Sequence, residues 1–494
     1  MGAVTVRRAP QELAPDFCRV IARPYVPGED PHSEGQPRLA ALVQRVLDMS
    51  DEAVAAEVDD VRRRFTDRHR SLERLWERHA DRVSDLLAGA SSERVLLVGA
   101  FLTQECAFES AALTNPSIVR APDQSGVAEG ASRFVLSLRA IGEGHLSSIE
   151  FRTGVITAEG AVTIEVPTNR ADVGQRRPPV YERKQFGVKL AELGADRELV
   201  ATIMDKLPRH FGATELEQAK RAVADVSRAV AHETIRLVDW LAASNYVVDF
   251  DASLPLHERL LWPDGPFESR GMEDARFVHF ADDDGSHTYY ATYTAFNGFE
   301  ILPQLIESND FTSFEITTLN GASAQNKGIA LFPRLINGHY VALSRPDREN
   351  IHLLMSDNPR HWGAPSVPLR RPQRPWEFVQ MGNCGSPLET SEGWLVLTHG
   401  VGPMRTYRLG AMLLDLEHPD RVIADLPQPI LRAQEDERDG YVPNVVYSCG
   451  SMLHGDHVVL PYGTSDRVTR IAILSLTELL DALLAHPVRA ATVA

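Results

Sequence analysis

Trp394-Leu395-Val396-Leu397-Thr398-His399 follows the tight-turn pair Glu392-Gly393 and closes an apolar run with polar side chains. A short run of this composition, opened by a turn signal, reads as a β-strand. The same form recurs at Phe134-Val135-Leu136-Ser137-Leu138-Arg139, Tyr290-Ala291-Thr292-Tyr293-Thr294, Tyr340-Val341-Ala342-Leu343-Ser344-Arg345 and Val458-Val459-Leu460-Pro461-Tyr462-Gly463. Asn337-Gly338 and Gly455-Asp456 mark turns ahead of two of them. The last four runs are spaced by about 50 to 65 residues, the length of a propeller blade. We therefore expect a mainly β chain, a five-bladed β-propeller whose inner strands bring their polar ends to one mouth. A β-sandwich with helical additions is the alternative.

Outside these runs the texture is helical. In the first hundred residues Leu72, Leu75, Trp76, His79, Val83, Leu86 and Leu87 recur at three- and four-residue steps, one apolar stripe among charged neighbours. His79 on that stripe reads as a packed histidine, and Ser91-Ser92-Glu93 as the start of another helix. A long helical insertion, about residues 190–245, falls after the first β run. There Thr214 and Glu217 have capping-box spacing, and Leu216, Ala219, Val223, Ser227, Val230, Thr234 and Val238 make a packing face. The expected division is an N-terminal helical region (1–100), a propeller (101–480) that carries the insertion, and a C-terminal tail (481–494).

Composition narrows the function classes. A 43% hydrophobic, 24% charged chain of 494 residues is that of a soluble globular protein with more than one structural unit. Its formal net charge of −17 argues against a nucleic acid or an anionic membrane as partner. Cys18, Cys106, Cys384 and Cys449 form no CxxC pair, which speaks against a zinc site or a disulfide framework and for a reducing compartment. No apolar run reaches the roughly 20 residues of a membrane span, and no apolar region follows Arg7-Arg8 as a signal peptide would require. We expect a cytoplasmic protein without a metal. The apolar stripe is too wide to leave in water, so a homo-oligomer is expected, joined through the N-terminal helices or the Thr214–Trp240 block.

The densest chemistry lies in Glu268-Ser269-Arg270-Gly271-Met272-Glu273-Asp274-Ala275-Arg276, with three carboxylates and two arginines in nine residues. Carboxylates held beside arginine suit acid–base work on a neutral sugar; a salt-bridged turn is the plainer reading. Under the propeller reading Asn383, His399, Arg405, Tyr407, Tyr462 and Asp466 fall at the mouth. Trp376 reads equally as a sugar platform or a core aromatic.

Gly271–Arg276, Leu331-Phe332-Pro333-Arg334 with Asn337-Gly338, Gly385-Ser386-Pro387, Gly410–Asp415 and Pro443-Asn444-Val445-Val446 together resemble glycoside hydrolase family 130, over roughly Leu113 to Leu480. That family comprises five-bladed mannoside phosphorylases and β-mannosidases. The resemblance implies that Asp274 is the general acid, acting through a substrate hydroxyl, with Glu273 and Arg276 binding substrate beside it. Ala275 stands where the family usually has Pro. It implies phosphate-holding roles for Arg139, Lys327 and Arg345, and a site-entering segment at Asn115-Pro116-Ser117. Ser344 occupies the position where many of the phosphorylases carry a His. Glu437 sits where the family has a Glu; it and Glu377 are the candidates for activating water. On Ser344 the expectation leans to hydrolysis, and the resembling subgroup of the family implies the linkage: an inverting β-1,2-mannosidase that releases mannose from β-1,2-mannooligosaccharides. The alternative is a β-1,2-mannoside phosphorylase with inorganic phosphate as co-substrate, which needs no other cofactor. A non-catalytic sugar-binding propeller is the third reading.

Overall fold

The computed structural model describes residues 4–28, 35–221 and 228–488. The protein is mainly β, and antiparallel groups of strands follow one another along the chain. The first comprises Ala112–Arg120, Ser132–Ile141 and Ser147–Ile156; the second Gly271–Ala281, His287–Phe296, Ile301–Ser308 and Ser313–Thr318. A single parallel bridge, Gly271 to Ser147, joins them into one larger sheet. Gly271 has φ +117°, and a Cβ there would lie 2.3 Å from the Ser147 hydroxyl, so the junction requires glycine. The third group runs from Ala330–Leu331 through Tyr340–Ser344 and Ile351–Ser356 to Val367–Arg370. The fourth is Gln380–Asn383, Gly393–Val401, Tyr407–Leu414 and Val422–Asp425, and the fifth contains Val446–Tyr447, His457–Thr464 and Val468–Ser475.

Each group packs on the next. Phe280 and Tyr290 share a core with Leu331, Leu354 and Trp362. Leu343 and Leu353 share one with Met381, Trp394 and Met412, and Leu397 and Leu409 one with Val458 and Leu460. Val459, Ile471 and Ile473 of the fifth group return to Leu113, Leu136 and Leu138 of the first. Side chains of this size, fully buried, each contribute about 1.5–3 kcal/mol relative to exposure, so the inter-sheet faces are a major source of stability.

The first hundred residues are not all helix. Val6–Leu13 is a strand that pairs antiparallel with Val468–Ser475 and completes the fifth group. Val20–Pro24 pairs with Thr103–Ala107. Sequence reading passed over these strands because their alternation is weak: Val6-Arg7-Arg8-Ala9-Pro10 carries charges and a proline. Arg19 pins the segment down from within, donating to Glu109 at 3.0 Å and Glu150 at 2.5 Å.

Between them lie α1 (Gly35–Leu47), α2 (Asp51–Phe65), α3 (Leu72–Ala80) and α4 (Ser92–Phe101). Ser50 caps α2 by accepting from Ala53 N. Leu72, Trp76, Val83 and Leu87 are buried against Val43, Val54, Val58 and Leu97. Most of the stripe is thus covered within its own chain, while Leu86 stays 45% exposed, which weakens the reason for expecting an oligomer through it. His79 is buried, 2.7 Å from the Thr103 hydroxyl, and burial pushes its imidazole down to about 4.

The insertion contains α5 (Arg183–Glu192), α6 (Arg197–Met204), α7 (Ala213–Lys220) and α8 (Arg228–Ala243) around a core of its own. The capping box forms two residues earlier than expected: Gly212 N donates to Glu215. Val223 and Ser227 lie outside the described residues. Lys189 donates to Leu319 O, and Glu192 accepts from Gly321 N, docking the insertion on the second group. The expected tail begins inside a helix, α9 (Leu476–Leu484), whose Leu479 and Leu483 are buried on the fourth and fifth groups.

Candidate active site

Two β-bulges face each other at the centre of the site. One interrupts pairing between Thr114 and Ser117, the other between Glu273 and Arg276. The extra residues they free, Asn115 (φ +48°) and Asp274 (φ +56°), are both left-handed, a conformation that Asn and Asp tolerate best among side-chain-bearing residues. Asn115 Nδ2 donates to Asp274 Oδ1 at 2.7 Å. Strain at two facing positions is the kind of feature that gathers at functional sites.

Asp274 is held from the other side by Tyr447, whose hydroxyl donates to Oδ2 at 3.4 Å. Arg276 lies beneath, donating to the Asp274 carbonyl at 2.8 Å and to Tyr447 Oη at 2.7 Å, with Asp274 Oδ2 3.7 Å away. Burial alone would raise the Asp274 pKa. The charges of Arg276, then Lys327, Arg139 and Arg345, outweigh it and hold the carboxyl below its ordinary value.

Glu273 bridges two cations, Arg139 Nη2 at 2.7 Å and Lys327 Nζ at 2.6 Å. Arg345 differs. Its Nη1 lies 3.3 Å from His399 Nε2, and among the described residues it has no carboxylate partner. His399 is kept well below its usual pKa by burial, then by Arg345 and Arg276, so it stays neutral and accepts from Arg345. A histidine therefore does stand beside Arg345, contributed by the fourth group rather than by position 344. Ser344 itself is fully buried.

Asn115, Arg139, Glu273, Asp274, Lys327 and Arg345 line one cleft of about 340 Å³. His399, Arg405, Tyr407 and Asp466 line it too, so side chains from all five groups meet there. Burial raises the Asp466 pKa against the pull of Arg139. Gln380, Val442, Val445 and Tyr447 also line the cleft and were missed in the sequence. The signal for Tyr447 was its place directly after Pro443-Asn444-Val445-Val446, where an aromatic ending an apolar run reads as core.

Other expected residues are elsewhere. Glu377 does not line the cleft. Its Oε1 accepts from Gln373 N at 2.8 Å, Arg374 N at 3.0 Å and Arg370 Nη2 at 3.1 Å, which makes it a buried structural brace. Glu437 does not line it either. It accepts from Gln434 N at 2.8 Å and Tyr462 Oη at 2.7 Å, with Arg8 and Arg470 each 3.3 Å away. Tyr462 is consumed in that network, with Arg8 as a second partner. Asn383 is buried behind the cleft, donating to Gly385 O. Trp376 fills the space over Gly400 and Gly410 and donates its indole N–H to Pro427 O, so it is core and not a sugar platform. Among the described residues no cluster of His, Cys, Asp or Glu could hold a metal ion, and no helix is long and apolar enough to cross a membrane.

A family model described as beta-1,4-mannooligosaccharide phosphorylase matches residues 249–484. A 1,2-beta-oligomannan phosphorylase of Thermoanaerobacter sp. is 36% identical over 225 residues, 43% of this chain and 71% of that protein. A beta-1,2-mannobiose phosphorylase of Listeria innocua is 28% identical over 359 residues, 70% of this chain and 95% of that protein. Among solved structures, a beta-1,2-mannobiose phosphorylase from Listeria innocua in complex with its disaccharide aligns with a TM-score of 0.47 at 22% identity, covering 76% of this chain and 93% of the other.

Proposed function

The chain belongs to glycoside hydrolase family 130, a mannoside-cleaving enzyme family, and from that premise we propose that it is an inverting β-1,2-mannoside phosphorylase. This replaces hydrolysis, the reading that Ser344 favoured. The observation that carries it is Arg345, a cation in the cleft that has no carboxylate partner among the described residues, next to Lys327 and Arg139. Neither Glu377 nor Glu437 reaches the cleft to serve as a base for water. The relatives named as β-1,2-mannobiose and oligomannan phosphorylases support the same choice.

In this mechanism inorganic phosphate binds to Arg345, Lys327 and Arg139 and attacks the anomeric carbon from the face opposite the leaving sugar. The C1–O bond to that sugar breaks and a C1–O–P bond forms. Asp274 supplies the proton that the departing hydroxyl takes up, so a β-mannoside gives α-mannose 1-phosphate. Resting Asp274 is poorly suited to carry that proton, because four cations favour its ionised form. A phosphate dianion set against three of them offsets their pull and lets Asp274 protonate. The nucleophile thereby loads the acid.

We place this site at the mouth of a five-bladed propeller, 101–480, closed by Val6–Leu13. The ring of inter-sheet cores, in which the fifth group returns to the first, supports that architecture. The helices of 35–101 and the insertion near 190–245 are proposed as accessories to it. Four unpaired cysteines suit a cytoplasmic setting.

Incubation with β-1,2-mannobiose, with and without phosphate, tests the proposal. One mannose and one mannose 1-phosphate per bond, only when phosphate is present, is the expected result. Two mannoses released without phosphate would restore hydrolysis.

A further inference from the structure

A second cavity, about 680 Å³, opens beside the cleft and is lined by Arg8, Arg408, Arg432 and Arg438. The one carboxylate among its lining residues is Glu435. Arg408 and Arg432 are register partners on adjacent antiparallel strands, Tyr407–Leu414 and Leu431–Arg432, so their side chains leave the sheet on the same face. Like charges directly opposite each other destabilise a strand pair. Among the described residues neither guanidinium has a hydrogen-bond or ion-pair partner. The other two are held in place: Arg8 by Tyr462 and Glu437, Arg438 by Asn444 at 2.8 Å. In a chain of net charge −17, an uncompensated arginine pair lining a cavity has the chemistry to bind an oxyanion.

The cavity adjoins the catalytic cleft. Tyr407 lines both. Asn444 faces the arginines while its neighbours Val442 and Val445 face the cleft. The Tyr407 ring centroid lies 6.2 Å from that of Tyr447, whose hydroxyl reaches Asp274. Tyr407 precedes Arg408 on the same strand, so the arginine cavity lies on the far side of a residue that walls the cleft.

We propose that this cavity is an anion subsite, and that it receives a carboxylate or phosphate group carried on the reducing-end side of the mannoside. The enzyme's preferred substrates are then acidic mannosides. This rests on the mannoside phosphorylase reading above.

The test compares neutral β-1,2-mannobiose with its aldonate, in which the reducing end is oxidised to a carboxylate. Rates are measured with saturating phosphate for the wild type and for Arg408→Gln/Arg432→Gln, which keeps part of each side-chain stem and removes both charges. The wild type should show kcat/KM at least about tenfold higher for the aldonate, the scale of one hydrogen bond to a charged group. The double variant should lose that preference and keep its rate on the neutral disaccharide. Equal kcat/KM for the two substrates in the wild type, or a preference that survives in the variant, overturns the proposal. Stimulation of neutral-disaccharide cleavage by sulfate, without an aldonate preference, would assign the cavity to a free anion and overturn it too. If neither disaccharide is cleaved, the phosphorylase reading has failed. Calorimetric titration of the aldonate, without phosphate, then decides the subsite alone: binding at least tenfold tighter to the wild type than to the variant upholds it, and equal binding ends it.

Discussion

Replacing Arg345 with Gln separates phosphate binding from sugar binding. Among the described residues the side chain has one polar contact, 3.3 Å to a neutral His399, and no carboxylate partner, so the fold should lose little. What is lost is a charge-assisted contact to the incoming nucleophile. Hydrogen bonds to charged groups contribute about 1.5–3 kcal/mol, and about 1.36 kcal/mol is tenfold in a constant. The KM for phosphate should therefore rise roughly 10- to 160-fold. The KM for the mannoside should move far less. Initial rates of mannose 1-phosphate release, with each substrate varied at saturating levels of the other, read both constants. An unchanged phosphate KM beside a raised mannoside KM would place Arg345 on the sugar and refute the nucleophile assignment.

Asp274→Asn keeps the size and the Asn115 contact but has no proton to give; activity should fall by about 10²–10⁴, and near-wild-type turnover in a pure preparation would exclude Asp274 as the acid. Glu377→Gln and Glu437→Gln break buried ion pairs, which costs about 3–5 kcal/mol, so urea midpoints should drop while kcat of the folded fraction holds. A lost kcat at unchanged stability would return either residue to the chemistry. The pH profile has a defined sign. Asp274 has a depressed pKa in the free protein, so its contribution to stability is complete above its unfolded value, about 3.9, and is lost as pH falls through the lower folded value. For catalysis the group must be protonated, so activity falls with rising pH. Saturating phosphate should move that descending limb to higher pH, and a limb indifferent to phosphate would sink the acid-loading mechanism.

Much of the cleft was legible because its residues sit where strands end or bulge. Arg139 closes a β run and Arg345 directly follows one, while Glu273 and Asp274 lie in a run too polar to be core. The failures have a common cause. Glu377 and Glu437 each cap a short turn with their own carboxylate, and sequence carries no sign of which backbone N–H groups a glutamate will satisfy. Tyr462 lies on a strand buried along nearly its whole length, so no exposure pattern separates the side chains that face the cleft from those that face the network behind it, and a single step in register decides between them. The neutral histidine beside Arg345 could not be found by looking at position 344, because it comes from a different sheet. The N-terminal strands were unreadable for a related reason: their partners are at the far end of the chain or beyond an intervening helical region.

That last pairing has a consequence in time. Val6–Leu13 is made early, yet its hydrogen-bonding partner, Val468–Ser475, is made about 460 residues later. At ~5–20 residues per second of synthesis, the strand waits some 20–90 s as an open edge, the most aggregation-prone state a strand can occupy. Its composition answers that exposure. Arg7, Arg8 and Glu12 put charge along it, Pro10 removes a donor, and the register breaks between Arg8 and Glu12. These features weaken its pairing with any stray neighbour. The same irregularity that hid the strand from sequence reading keeps it available until its own partner emerges.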